Sequence, residues 1–152
     1  MSHPEKQGTL LRSVGAVFAG LAAIFVLSLG TDAILHAAGI YPPWGKTMSD
    51  PLFALATAYR IAYGIFGCYI AGRLAPSRPM AHATALGAFG LFFSTAGALA
   101  MGDMGPRWYG LAIIAINFPC TWIGGKLAEN AAMAANAATN GTAQSAGAPR
   151  AA

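Results

Sequence analysis

The chain reads as four long apolar runs separated by short polar punctuation, without the 2.0- or 3.6-residue stripes of half-buried elements in water-soluble domains. From Val14 to Gly30 there are 17 residues without a charge, and apolar character resumes after Asp32 and His36 as far as Ile40. Gly39 permits a left-handed C′ residue and Pro42 and Pro43 cannot continue a helix, so a first span is expected over about 11–39. Ser49-Asp50-Pro51, a capping residue followed by a helix-starting proline, opens a second over 52–74. Ala75-Pro76-Ser77-Arg78-Pro79 separates it from a third over 80–101, and Gly102-Asp103-Met104-Gly105-Pro106 makes the turn into a fourth over 108–127. Each run is long enough to cross a hydrocarbon core of ~30 Å, and Pro119 predicts a kink in the last.

The predicted fold is all-α: a polytopic membrane protein whose residues 11–128 form a bundle of four transmembrane helices. Residues 1–10 are expected to be a polar N-terminal segment. A cleaved secretory signal is the competing reading of that end, but the apolar run is longer than a usual signal core and no A-x-A site precedes Asp32. Past Glu129 the chain is Ala, Asn, Thr, Gly, Ser and Gln, with no large apolar residue after Met133. Residues 129–152 are therefore expected to be a disordered tail with nothing to bury.

Composition sharpens the class. Hydrophobic residues make up 56% of the 152 and charged residues 9%, against roughly 25% charged in ordinary soluble domains. The expected partner is thus the lipid bilayer. The net charge of +4 comes from singly scattered basic residues with no aromatic-interleaved patch, which excludes a nucleic-acid partner. Lys6, Arg12, Arg73, Arg78, Lys126 and Arg150 fall on one side of the four spans, while Lys46 and Arg107 fall on the other. That asymmetry predicts both termini in the cytoplasm. Tyr41, Trp44, Trp108 and Tyr109 then read as an aromatic belt at the outer boundary.

Arg60 is the most informative residue, because a guanidinium inside a membrane span must find a partner or water. At 1.5 Å per residue Asp32 lies ~10 Å below the outer end of its span and Arg60 ~12 Å below the outer start of its own. The same counting puts Ser94 and Thr95 at ~9 to 11 Å and Asn117 at ~13 Å. These residues predict an intramembrane polar layer: an Asp32–Arg60 ion pair trimmed by Asn117, Ser94 or Thr95, with Tyr63 one turn below Arg60. His36, one turn after Asp32, is an i, i+4 neighbour able to hold a metal or relay a proton, but no third ligand is found at its depth. His82 lies at the opposite surface, too far away to share a haem, so no metal and no cofactor is expected. Gly45-Lys46-Thr47 ends like a phosphate loop, but position 40 is Ile40, and Pro42 and Pro43 remove backbone donors that a phosphate cradle needs. Cys68 and Cys120 lie inside apolar runs and read as small packing residues.

Gly15 and Gly20, Gly64, Gly67 and Gly72, and Gly87, Gly90 and Gly97 mark helix faces where backbones can approach. They fit tight packing within the chain, or a seam with a second copy or another membrane protein.

At Gly30-Thr31-Asp32-Ala33 through His36 to Tyr41-Pro42-Pro43-Trp44-Gly45, Ala56-Thr57-Ala58-Tyr59-Arg60, Gly72-Arg73-Leu74-Ala75-Pro76 with Pro79-Met80-Ala81-His82-Ala83, and Gly105-Pro106-Arg107-Trp108-Tyr109, the chain resembles small four-span bacterial membrane proteins of unassigned activity. The resemblance covers about residues 11–128 and implies the cytoplasmic (inner) membrane of a bacterium. It implies no reaction. Together the residues favour a non-catalytic accessory or interaction subunit. The alternatives are a small-solute or proton transporter or channel subunit built on the polar layer, and a membrane redox or enzyme subunit.

Overall fold

The computed structural model describes residues 3–146, with the side chains of residues 3–7, Asp103 and 142–146 outside the description. The described residues form five α-helices, α1 (His3–Ala37), α2 (Asp50–Leu74), α3 (Pro79–Met101), α4 (Arg107–Ala115) and α5 (Asn117–Ala146), with a 3₁₀ turn at Gly102–Met104. No strand occurs among the described residues. Helices α1, α2, α3 and the continuous pair α4–α5 are each long and apolar enough to cross a membrane, which makes a four-span bundle.

The expected boundaries at 52–74 and 80–101 fall within two residues of α2 and α3. The end of α1 has the geometry that Gly39 requires. Gly39 has φ +70°, its N–H donates to His36 O at 3.1 Å, and the Ile40 N–H donates to Leu35 O at 3.0 Å. That is the paired 5→2 and 6→1 bonding of a Schellman end. Toward its start, α1 runs on into the segment expected to be merely polar: Pro4 stands in the first turn, where its missing N–H costs nothing, and Gly8 weakens the helix without ending it.

The fourth span is broken at Ile116, three residues before Pro119, which lacks the N–H that would bond Ala115 O. The ladder resumes on either side, with Ile116 N–H to Ala112 O at 2.9 Å and Cys120 N–H to Ile116 O at 3.1 Å.

The tail departs from expectation. Helix α5 continues through the whole of residues 129–146, where disorder was predicted from the lack of anything to bury. The side chains of residues 129–141 are mostly exposed; the run of alanines, the best helix former, carries the helix without tertiary support. The remainder of the tail, residues 147–152, lies outside the described residues.

Packing is inverted relative to a soluble bundle. Buried positions are mostly small, namely Ala16, Ala56, Cys68, Ala71, Ala83, Cys120 and Ala128, while Phe18, Val26, Leu29, Phe92, Leu111 and Phe118 point outward. Helix association in lipid relies on close backbone approach rather than on hiding large apolar groups, and this composition provides it. Helix α1 packs chiefly on α2, α2 also on α5, and α5 on α3, while α1 and α3 touch less extensively.

The glycines divide into two sets. A Cβ at Gly20 would stand 2.5 Å from Gly67 O, and one at Gly67 would stand 2.8 Å from Gly20 O, so α1 and α2 cross with backbones in contact. Gly64, Gly72, Gly87 and Gly90 likewise face neighbouring helices. Gly15 and Gly97 meet nothing within 4 Å and lie on outer faces.

Two small cores occupy the two ends of α2. One joins Phe53 and Ala56 to Tyr41 and Tyr109, and the other joins Cys68 and Ala71 to Ala83 and Leu86. The first corrects the expected aromatic belt. Tyr41 and Tyr109 are 3% and 6% exposed and belong to the interior, because their rings pack on the Phe53 turn; Trp44 and Trp108 remain outside. Between the two cores along α2 lie Arg60 and Gly64.

Candidate functional site: an intramembrane polar cluster

Arg60 Nη2 donates to Asp32 Oδ2 at 2.7 Å, so the ion pair expected from depth alone joins α1 to α2. The side chains are 25% and 15% exposed, mostly withdrawn from the surface. Arg60 Nη1 donates to the Tyr59 hydroxyl at 3.0 Å and to Ala56 O at 3.3 Å. Tyr59 gives its only proton to Asp32 Oδ1. Its oxygen can then only accept from Tyr41, whose hydroxyl lies 3.2 Å away. The result is a chain, Tyr41 to Tyr59 to Asp32 with Arg60 across it, that ties α1, α2 and the segment between them. A buried pair is favourable only when its remaining lone pairs and protons find partners, and here the carboxylate accepts on both oxygens.

The other expected members divide. Asn117 Nδ2 donates to Ser94 Oγ at 2.9 Å, linking α5 to α3, and to Ile113 O at 2.7 Å. This amide therefore folds back onto the last turn of α4, next to the break at Ile116. Asn117 and Ser94 do not bond the ion pair; they face it across a cavity of about 260 Å³ that Asp32, Arg60, Ser28, Ser94 and Asn117 all line. Tyr63 bonds Thr31 at 2.9 Å, giving a second hydroxyl contact between α1 and α2.

Thr95 and His36 lie apart from the cluster. The Thr95 hydroxyl donates to Leu91 O of its own helix at 2.8 Å and is exposed. His36 Nδ1 donates to the main-chain oxygen of Asp32 at 2.8 Å rather than meeting the carboxylate. Its ring stacks on Trp44 at 3.7 Å and 2°, pinning the α1–α2 connection.

Tyr59, Tyr41 and Thr31 are the members that sequence reasoning missed. Tyr59 was open to detection: next to a membrane arginine, a residue able both to donate and to accept is the natural bridge. Tyr41 was not, because its place depends on how the connecting segment folds back.

The chain matches no known protein family, no curated protein and no solved structure.

Proposed function

We propose that this is an integral membrane protein of the bacterial inner membrane, with both termini in the cytoplasm, acting as a non-catalytic accessory or interaction subunit. One observation carries the reading: the Asp32–Arg60 charges neutralise each other, and the Tyr59 hydroxyl bridges them, donating to the carboxylate and accepting from the guanidinium, with Tyr41 bonded behind it to Tyr59. A cluster so engaged holds helices in register. The basic asymmetry of the sequence supports the orientation, and the resemblance to small four-span bacterial proteins supports the location. The open positions Gly15 and Gly97, with exposed Leu11 and Phe18 near the first, provide outer faces against which a second helix could pack.

The test is charge replacement. Asp32→Asn and Arg60→Gln each leave one unpaired charge and should lower the amount of folded protein recovered from membranes, consistent with a cost of about 3 to 5 kcal/mol for a broken buried pair. The swap Asp32→Arg with Arg60→Asp, or Asp32→Asn with Arg60→Leu, should recover most of it. If the double variants fold yet abolish the phenotype that complements a deletion strain, the polar cluster is a working site and the accessory reading fails. A small-solute pathway is the second reading, favoured by the cavity beside the pair.

A further inference from the structure

The cavity lies where the bundle is least closed, between α1 and α3, with α2 and the α4–α5 break behind it. Its walls have two characters. Leu21, Ile24, Phe25 and Phe93 form an apolar part; Arg60, Asp32, Ser28, Ser94 and Asn117 form a polar part. Phe25 and Phe93 meet edge to face at 5.7 Å between α1 and α3 and are 42% and 44% exposed, so these two rings stand at the outward opening of the cavity.

A guanidinium has five N–H donors, and three of those on Arg60 have acceptors among the described residues, at Asp32, Tyr59 and Ala56. Two remain in a part-buried group that lines the cavity. The Ser28 hydroxyl also has no acceptor or donor among the described residues. Unmatched donors in an apolar surround are costly, so an acceptor oxygen there is favoured. It should be uncharged, because Asp32 already neutralises Arg60 and would repel an anion.

Size and depth narrow the occupant. A void of roughly 150 Å³ accepts benzene, so about 260 Å³ accommodates a substituted six-membered ring. Arg60 bonds Ala56 O, six residues and hence about 9 Å along α2 from its start at Asp50. Glycerol esters of phospholipids sit at the headgroup boundary, above that level. We propose that the cavity binds an uncharged, membrane-dissolved molecule with a ring carbonyl, the carbonyl oxygen accepting from Arg60 and Ser28 and the hydrocarbon body leaving past Phe25 and Phe93.

The test uses the purified full chain in bilayer discs of ether-linked lipid, which contain no ester carbonyl. A decyl-substituted benzoquinone is the probe, and decylbenzene is the control. The quinone should raise the unfolding midpoint saturably and decylbenzene should not. Ser28→Phe, which fills the cavity without touching the ion pair, should weaken the quinone effect at least roughly tenfold, the equivalent of one lost hydrogen bond. Arg60→Lys, which keeps the charge but loses the fork of donors, should do the same and serves if Ser28→Phe does not fold. Equal shifts with decylbenzene, no shift with either compound, or an effect unchanged in both variants would overturn the proposal. So would suppression of the quinone effect when ester lipid replaces ether lipid, since phospholipid would then be the occupant.

Discussion

Gly20→Ala places a methyl group where the backbones of α1 and α2 touch. The new Cβ would stand 2.5 Å from Gly67 O, 2.7 Å from Leu86 Cδ2 and 3.0 Å from Ala71 Cβ. Leu86 can turn its methyl aside, but a carbonyl in mid-helix cannot move alone, so α1 and α2 must separate by nearly 1 Å along their crossing. Overpacking of this kind costs about 1 to 3 kcal/mol. Against it stands the gain of about 0.5 to 1 kcal/mol from replacing a helical glycine by alanine. The steric term is the larger at the middle of its range, so the variant should lose about 1 kcal/mol net, within bounds of roughly 0 to 2.5. Gly15→Ala supplies the control on the same helix, because its Cβ meets nothing within 4 Å and only the propensity gain remains. Unfolding in mixed micelles of increasing sodium dodecyl sulfate, followed by tryptophan fluorescence, should rank Gly15→Ala at or above the parent and Gly20→Ala below it. Equal midpoints for the two variants would refute the backbone contact and, with it, the close crossing of the first two spans.

Tyr59→Phe removes one of the two hydrogen bonds to the Asp32 carboxylate and should cost about 1.5 to 3 kcal/mol in the same titration, less than Asp32→Asn. Asn117→Leu cuts the tie to Ser94 and uncovers Ile113 O, with an expected loss near 0.6 to 2 kcal/mol, and it should lower protection of the Ile113 region in hydrogen exchange. Single cysteines at Thr47 and Asn136, in a Cys68→Ala, Cys120→Ala background, should react with an impermeant maleimide from outside the cell and only after permeabilisation, respectively; the reverse pattern would invert the orientation.

The four spans were legible because lipid selects for uninterrupted apolar length, a signal that survives without knowing any contact. The Asp32–Arg60 pair was legible for a related reason, since rise per residue fixes depth from sequence alone. Depth says nothing about azimuth. Ser94 and Thr95 differ by one residue and about 1.5 Å in height, yet a 100° turn sends Ser94 to Asn117 and Thr95 to its own helix surface. The glycines were ambiguous for the same reason: Gly15 and Gly20 share a helix, and only the direction of the neighbour separates the open position from the crossing. Tyr41 was misplaced because an aromatic near a span end suits both a headgroup belt and a returning loop. The tail shows the opposite failure: absence of a core does not mean absence of helix, because alanine propensity needs no core.

The bond between Asp32 and Arg60 also constrains the order of membrane insertion. During synthesis the first span emerges with a lone aspartate, whose single partitioning costs at most about 2.5 to 3.5 kcal/mol, the value insertion scales give at a helix centre, since Asp32 lies nearer the end of α1. Its counter-charge arrives 28 residues later, on the next span, together with the tyrosine that bridges them. The connection between α1 and α2 spans residues 38–49 and is pinned by the His36–Trp44 stack, so the two helices can enter lipid as one hairpin with the charges already joined. The first half of the chain is in this sense a single unit of biogenesis, and the third and fourth spans are delivered to a hairpin that has already neutralised itself.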